Sequence, residues 1–317
     1  MNLPGRRTAS AATREARTTA ASDGGALLDG ALLQQLERLH FSTLTAIVAG
    51  LVGEREGRAR VARLEFADYR PYVAGDELRR IDWSIYRRLH QLVVKVGIED
   101  GRLSLALLVD SSRSMRVGTP SKLRAAQRLT AALAAIALLR GDQADVHVLG
   151  DGRSRPVVRL DGPRQVSLLA HELERLPESL ETGLEEAMQE YARSASRADV
   201  VILISDANVP PDELERTLAA LSSTARTTCL LHVVAPDELE TVLRGPVELR
   251  DAETGRLLET AITEGAAADY AERFAGFCQD VRDRCKSNGV RYLLVRSDQD
   301  PLDLLLDNAS DVSLTVA

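Results

Sequence analysis

Cysteines, aromatic residues, lysines and long apolar runs are all scarce in this chain of 317 residues. Its 3 cysteines form no Cys-x-x-Cys pair, which argues against a disulfide framework or a zinc site of the usual spacing. The longest aliphatic run, Leu129 to Leu139, is far shorter than the roughly 20 residues that a membrane-spanning helix needs. Residues 1–25 contain arginines but lack the apolar stretch of a secretory signal. We therefore expect a soluble, cytoplasmic protein.

Positive charge is also in short supply, since 47 acidic residues outnumber 40 basic ones for a net charge of −7. A general nucleic-acid-binding protein needs a basic surface to neutralise phosphates. A local exception runs from Arg58 to Lys95, where nine basic residues exceed five acidic ones. Aromatic side chains lie between these charges, so a nucleic-acid-binding surface is one alternative for this segment. The interleaved acidic residues favour internal ion pairs instead.

Strand and helix patterns alternate from Leu103 onwards. Apolar strands are predicted at 103–109, 145–149, 156–160, 200–204, 229–234 and 290–295, and helices at 122–139, 165–175, 184–194, 212–221, 269–286 and 300–306. This alternation is typical of an α/β fold with a doubly wound, mostly parallel sheet that carries helices on both faces. Asp151-Gly152 predicts a tight hairpin turn, and short strands at 247–249 and 256–258 predict a small β-hairpin insertion.

The residues before this region divide into two parts. Residues 1–25 are predicted to be a disordered tail. Residues 26–100 combine a predicted helix at 27–51, a dense polar and aromatic block, and a predicted strand at 92–96. We expect this second part to be an N-terminal helical and β clasp on an α/β domain that spans residues 101–317.

Two buried strands are predicted to end in acidic residues. Asp110 begins the run Asp110-Ser-Ser112-Arg-Ser114, and Asp206 follows the strand at 200–204. The carboxyl ends of neighbouring parallel strands form the usual ligand site of such a sheet. Carboxylate and hydroxyl oxygens on one loop suit a hard cation such as Mg²⁺. Thr182 lies between two helical segments and offers another hydroxyl.

This set of residues resembles the metal-ion-dependent adhesion site of the von Willebrand factor A fold, which has Asp-x-Ser-x-Ser, then Thr, then Asp. The resemblance implies metal-binding roles for Asp110, Ser112, Ser114, Thr182 and Asp206. It also implies that the ion is Mg²⁺ or another divalent cation such as Mn²⁺ or Ca²⁺. In that family a carboxylate from a partner protein can fill the last coordination position.

The polar and aromatic block is similar to the signature of the domain of unknown function 58 family, and the similarity runs from about Gly53 to the C-terminus. The residues that carry it are Glu65, Tyr69, Arg70, Tyr72, Asp76, Arg80, Asp82 and Trp83. The resemblance implies a MoxR-type AAA+ ATPase as partner. The block itself is either a clasp that locks the N-terminal segment onto the sheet or a partner surface, for which Trp, Tyr and Arg are favoured anchors.

These observations together predict a non-enzymatic, metal-dependent protein-interaction module. The chain has no P-loop motif, and Ser112 stands where a haloacid-dehalogenase-like phosphatase needs a second Asp. A metal-dependent hydrolase or phosphatase-like enzyme is an alternative, because side chains distant in sequence can converge in the fold. Nucleic-acid binding through Arg58 to Lys95 is a second alternative.

Overall fold

A computed structural model describes the chain at residues 27, 68–71, 87, 92–96, 103–139, 141–176, 183–194, 198–225, 227–239, 245–250, 256–301 and 303–305. The strands within these ranges are β1 Asp68–Pro71, β2 Val93–Val96, β3 Ser104–Asp110, β4 Gln143–Gly150, β5 Arg153–Asp161, β6 Val200–Ser205, β7 Thr227–Val234, β8 Gly245–Arg250, β9 Leu257–Ile262 and β10 Arg291–Arg296. The helices are α1 Lys122–Leu139, α2 Val166–Glu174, α3 Leu184–Ser194, α4 Pro211–Ser222, α5 Pro236–Leu239 and α6 Glu264–Ser287.

Six strands form the central sheet in the order β10-β7-β6-β3-β4-β5. All neighbours are parallel except β4 and β5, which pair antiparallel. The chain first builds outwards from β3 to β5, and then returns to place β6 on the other side of β3. The predicted doubly wound, mostly parallel sheet is therefore confirmed, and its switch point lies between β3 and β6.

The central strands β3, β6 and β7 are buried on both faces, which explains why they read as continuous apolar runs. Leu105, Leu107 and Val109 of β3 pack into one hydrophobic cluster together with α1 and α2. Ala106 and Leu108 point the other way, into a cluster formed with α3, α4 and α6. This alternation follows from the two-residue period of a strand.

The predicted turn at Asp151-Gly152 joins β4 to β5. Both residues have positive φ, 51° for Asp151 and 67° for Gly152, as a two-residue hairpin turn of the primed type requires. Gly183, just before α3, packs against this turn so closely that a Cβ atom there would lie 2.8 Å from the Gly152 nitrogen. The glycine pair therefore sets how near α3 approaches the carboxyl end of β4.

Several elements differ from the prediction in extent. α6 begins at Glu264, five residues earlier than expected, because the Thr263 hydroxyl caps the helix by accepting from the Ala266 nitrogen. The short helix α5 was not predicted. The β-hairpin insertion is confirmed as β8 paired with β9. Within the part of the chain that the structure describes, no helix is both long and apolar enough to cross a membrane.

Only a few described residues belong to the predicted N-terminal clasp. β1 pairs antiparallel with β2 in a small separate sheet, so the predicted strand at 92–96 has a partner that was not predicted. Leu27, the one described residue of the predicted helix at 27–51, is buried in the cluster that contains α1 and α2. The rest of the predicted helix lies outside the described residues, so its packing as part of a clasp stays a prediction.

Candidate metal centre

Three of the predicted metal ligands line one small cavity at the switch point of the sheet. Asp110 is the last residue of β3, and Asp206 directly follows β6, its parallel neighbour. Asp110, Ser112 and Asp206 surround a cavity of about 10 Å³, which is room for a single water molecule or metal ion. The fold thus brings these side chains together from positions 96 residues apart in sequence.

Residues 111–116, the hydroxyl loop, are anchored to β4. The Ser111 nitrogen and Oγ both donate to the Leu149 carbonyl, over 3.0 and 3.1 Å, while the Met115 side chain is fully buried. The Ser112 and Ser114 hydroxyl oxygens lie 3.1 Å apart, and both residues are almost completely buried. The structure therefore places the two predicted serine ligands side by side on a fixed loop.

Asp110 is held by two hydrogen bonds and is only 4% exposed. Its Oδ1 accepts from the Ser112 nitrogen over 2.9 Å, and its Oδ2 accepts from the Ser205 hydroxyl over 2.6 Å. Burial raises the pKa of the Asp110 carboxyl from 3.8 to about 6, and repulsion from Asp206 adds to this rise. A bound divalent ion would favour the ionised carboxylate and oppose the rise.

Asp206 is held on both of its oxygens. Oδ1 accepts from the Asn208 nitrogen over 3.2 Å, and Oδ2 lies 2.8 Å from the ammonium of Lys122. The second contact is an ion pair rather than an aligned hydrogen bond, so the buried Oδ2 accepts no hydrogen bond from the described residues. Oδ2 of Asp206, a predicted metal ligand, is thus already paired with the positive charge of Lys122.

Lys122, the first residue of α1, also contacts Glu238 of α5. Its Nζ lies 2.6 Å from Glu238 Oε1, and the lysine side chain is 3% exposed. Burial alone lowers the pKa of Lys122, but the Asp206 and Glu238 carboxylates outweigh that effect and raise the pKa above its ordinary value. The lysine is therefore a charged ammonium at neutral pH.

The donor atoms at the cavity suit a hard cation. They are carboxylate and hydroxyl oxygens, which Mg²⁺ and Ca²⁺ prefer. Across the described ranges, no three His, Cys, Asp or Glu side chains form a group able to hold a metal ion. An ion at this site would therefore depend on the serine hydroxyls, and on water or a ligand from outside, to complete its coordination.

The remaining predicted residues lie largely outside the described part of the chain. Thr182 does so, although Leu184, two residues later, lines the cavity. Tyr69 and Arg70 lie on β1, opposite Lys95 and Val94 of β2. The other residues of the polar and aromatic block also lie outside it, and their predicted roles stay predictions: Glu65, Tyr72, Asp76, Arg80, Asp82 and Trp83.

Four residues around the carboxylates carried no role predicted from the sequence. Ser205 and Asn208 donate hydrogen bonds to Asp110 and Asp206. Lys122 forms an ion pair with Asp206, and Glu238 forms one with Lys122. Ser205 and Asn208 flank Asp206 closely enough to have been candidates. Lys122 also carried a signal, since it is one of three lysines in a chain with 40 basic residues. Nothing in the sequence pointed to Glu238, because it lies 116 residues from Lys122, which it contacts.

Comparison with known proteins identifies the family. The model of the family described as "Protein of unknown function DUF58" matches residues 68–276, about two thirds of the chain. This chain belongs to the DUF58 family. The resemblance stated from the polar and aromatic block is thereby confirmed.

Relatives and solved structures are similar over most of the chain. Uncharacterized proteins of Mycobacterium tuberculosis and Mycobacterium bovis are each 26% identical over 281 residues, which cover 87% of this chain and 88% of theirs. BatB, a conserved hypothetical protein from Bacteroides thetaiotaomicron, has a TM-score of 0.42 and 17% identity, covering 67% of this chain and 99% of that one. The VWA domain of SpRpn10 has a TM-score of 0.38 and 11% identity, covering 65% and 95%.

Proposed function

We propose that this chain is a non-enzymatic protein-interaction module whose docking to a partner requires a divalent cation. The observation that carries the proposal is the convergence of Asp110, Ser112 and Asp206 on one cavity at the switch point of the sheet. Mg²⁺ is the first candidate, with Mn²⁺ or Ca²⁺ as alternatives, because the donors are oxygens. Asp110, Ser112, Ser114 and Asp206 would hold the ion, and Thr182 is a further predicted ligand.

The small number of carboxylates supports docking through the ion. Mg²⁺ requires six oxygen ligands and keeps several waters when a protein supplies few. Asp110 and Asp206 bring two negative charges, and Lys122 offsets one of them. Waters in the open positions exchange, and a carboxylate from a partner is the ligand best able to replace one. Metal occupancy and partner docking would then be coupled.

We infer that the partner is a MoxR-type AAA+ ATPase, which supplies the carboxylate itself or presents a client that does. The support is the family resemblance, since members of the DUF58 family are commonly associated with such ATPases. A reversible bridge through one ion suits an adaptor that must release its partner in each cycle.

The contacts of two described histidines, His147 and His232, support a binder over an enzyme. His147 lies beside the Ser154 hydroxyl and Asp145, and the His232 Nδ1 lies 2.9 Å from the Tyr292 hydroxyl. Burial lowers the pKa of His232 to about 4, so this ring is neutral and enclosed at pH 7. Neighbouring side chains thus engage both rings, which supports a structural role for them rather than that of a general base.

Affinity capture with and without a chelator tests the proposal. The tagged full chain should retain the ATPase in Mg²⁺ and release it in excess EDTA, while a thermal melt shows that the chain stays folded. Asp110→Ala should abolish capture. Asp212→Ala is the matched control, because this carboxylate is exposed in the first turn of α4 and its loss should leave capture unchanged. Retention of the ATPase in EDTA would contradict a metal bridge.

A further inference from the structure

We propose that Lys122 acts as a built-in competitor for the divalent cation, because its ammonium neutralises the metal-binding carboxylate Asp206. Without a partner, the site then binds the divalent ion weakly. An incoming carboxylate restores the negative charge that the ion needs. This inference rests on the proposed metal site, and it adds the reason why ion and partner would bind together.

The first support is the position of the ammonium. Lys122 Nζ lies 2.8 Å from Asp206 Oδ2 and 2.6 Å from Glu238 Oε1. Asp206 lines the cavity directly, and Lys122 is only 3% exposed. Water therefore screens this charge weakly, and its repulsion of a second cation in the cavity is correspondingly strong.

The second support is that the lysine cannot easily move away. Its own nitrogen donates to the Val117 carbonyl over 3.1 Å. The preceding segment is packed against the end of β7, since a Cβ atom on Gly118 would lie 2.5 Å from the Ala235 Cβ. The Ser297 hydroxyl also donates to the Pro120 carbonyl over 2.8 Å. These contacts fix the start of α1, and with it the root of the lysine side chain.

The third support is that each carboxylate has a backbone donor in addition to its contact with Lys122. Asp206 Oδ1 accepts from the Asn208 nitrogen. Glu238 Oε2 accepts from the Ala235 nitrogen over 2.7 Å. Both acids are therefore held by backbone donors within their own loops. Replacing Lys122 should therefore change mainly the charge beside Asp206, because the hydrogen bond from the Asn208 nitrogen to Oδ1 remains.

Calorimetric titration with MgCl₂ at constant ionic strength tests the inference in the full chain. Lys122→Met keeps the length of the apolar stem and removes the charge, so it should tighten Mg²⁺ binding about tenfold or more, as expected for a unit charge beside a divalent ion. Glu238→Gln should weaken binding by roughly threefold to tenfold, because it leaves Lys122 less neutralised. Lys286→Met, at an exposed lysine of α6, is the matched control and should change nothing.

We expect the Mg²⁺ affinity to rise in Lys122→Met and to fall in Glu238→Gln. If the ion pairs had only a structural role, the two variants would not shift the affinity in opposite directions. Equal or weaker Mg²⁺ binding by Lys122→Met would overturn the inference while leaving the proposed metal site intact. Binding by Lys122→Met but not by the wild type would support the inference, because the wild-type site would then need the partner carboxylate to hold the ion. Binding by neither would overturn both. Should Lys122→Met fail to fold, unchanged or tighter binding by Glu238→Gln would overturn the inference by itself.

Discussion

Replacing Asp110 with asparagine should change how the stability of the metal-free protein depends on pH. Asp110 is buried beside Asp206, and its pKa is raised from 3.8 to about 6 by burial first and by that neighbour second. Asparagine keeps the shape and one acceptor oxygen of the side chain but carries no titrating proton. Comparing the two proteins therefore isolates the contribution of this one carboxyl.

The raised pKa determines both the sign and the size of the effect. The folded state holds the Asp110 proton to higher pH than the unfolded state, so this group stabilises most below pH 4. Its contribution to the free energy of unfolding is lost as the pH rises to about 6. A shift of roughly 2 pKa units corresponds to about 3 kcal/mol. His232 acts in the opposite direction, since burial lowers its pKa from 6.5 to about 4, but both proteins contain it.

Urea unfolding from pH 4 to pH 7 in EDTA measures this difference. The stability of the wild type relative to Asp110→Asn should fall by about 2 kcal/mol between pH 4 and 6.5, which is most of the full effect. One weakened hydrogen bond in the variant lowers its free energy of unfolding by about 1 kcal/mol at every pH. This constant offset does not change how the difference between the two proteins depends on pH. A relative stability that does not change with pH would refute a buried, strongly perturbed carboxyl at the end of β3.

Three further predictions follow from the same structure. Mg²⁺ affinity should fall about tenfold per pH unit below pH 6, because the ion must displace the Asp110 proton; a flat calorimetric profile would contradict this. Gly183→Ala should destabilise by more than about 1 kcal/mol, since φ is +101° and the new Cβ would meet Gly152. Gly276→Ala in α6 is the control, because a Cβ atom there faces open space, and it should stabilise the protein by up to about 1 kcal/mol. Equal changes in melting temperature for the two variants would refute the close contact between Gly183 and Gly152. Trp83→Ala should cost roughly 3–5 kcal/mol if the block is a clasp, or abolish ATPase capture with an unchanged melt if it is a partner surface; no effect in either assay would contradict both readings.

The fold was predictable where local pattern and tertiary environment agree. The bounds predicted for α1 at 122–139 match the structure, because its alanine and leucine run is buried along almost its whole length. The turn between β4 and β5 was predictable from Asp151-Gly152, whose backbone demands are local. The short strand β1 was not, since a four-residue strand takes its stability from pairing with β2 rather than from its own pattern.

The convergence of Asp110 and Asp206 at one edge of the sheet was predictable, whereas the contacts that position the two side chains were not. Asp110 and Asp206 stood out because each follows an apolar strand, and parallel topology brings such strand ends together. Ser205 donates a hydrogen bond to Asp110, and Lys122 forms an ion pair with Asp206, through contacts that span 95 and 84 residues. No periodicity records contacts at such separations, so they required the three-dimensional structure.

Calorimetric titration of the wild-type chain and Asp110→Ala with Mg²⁺ tests the central claim most directly. We expect one weakly bound ion per wild-type chain and no measurable binding by the variant, with Asp212→Ala behaving as the wild type. A melting curve of Asp110→Ala close to that of the wild type would show that the fold is intact. Equal Mg²⁺ affinities for the wild type and Asp110→Ala would contradict a metal centre at the switch point.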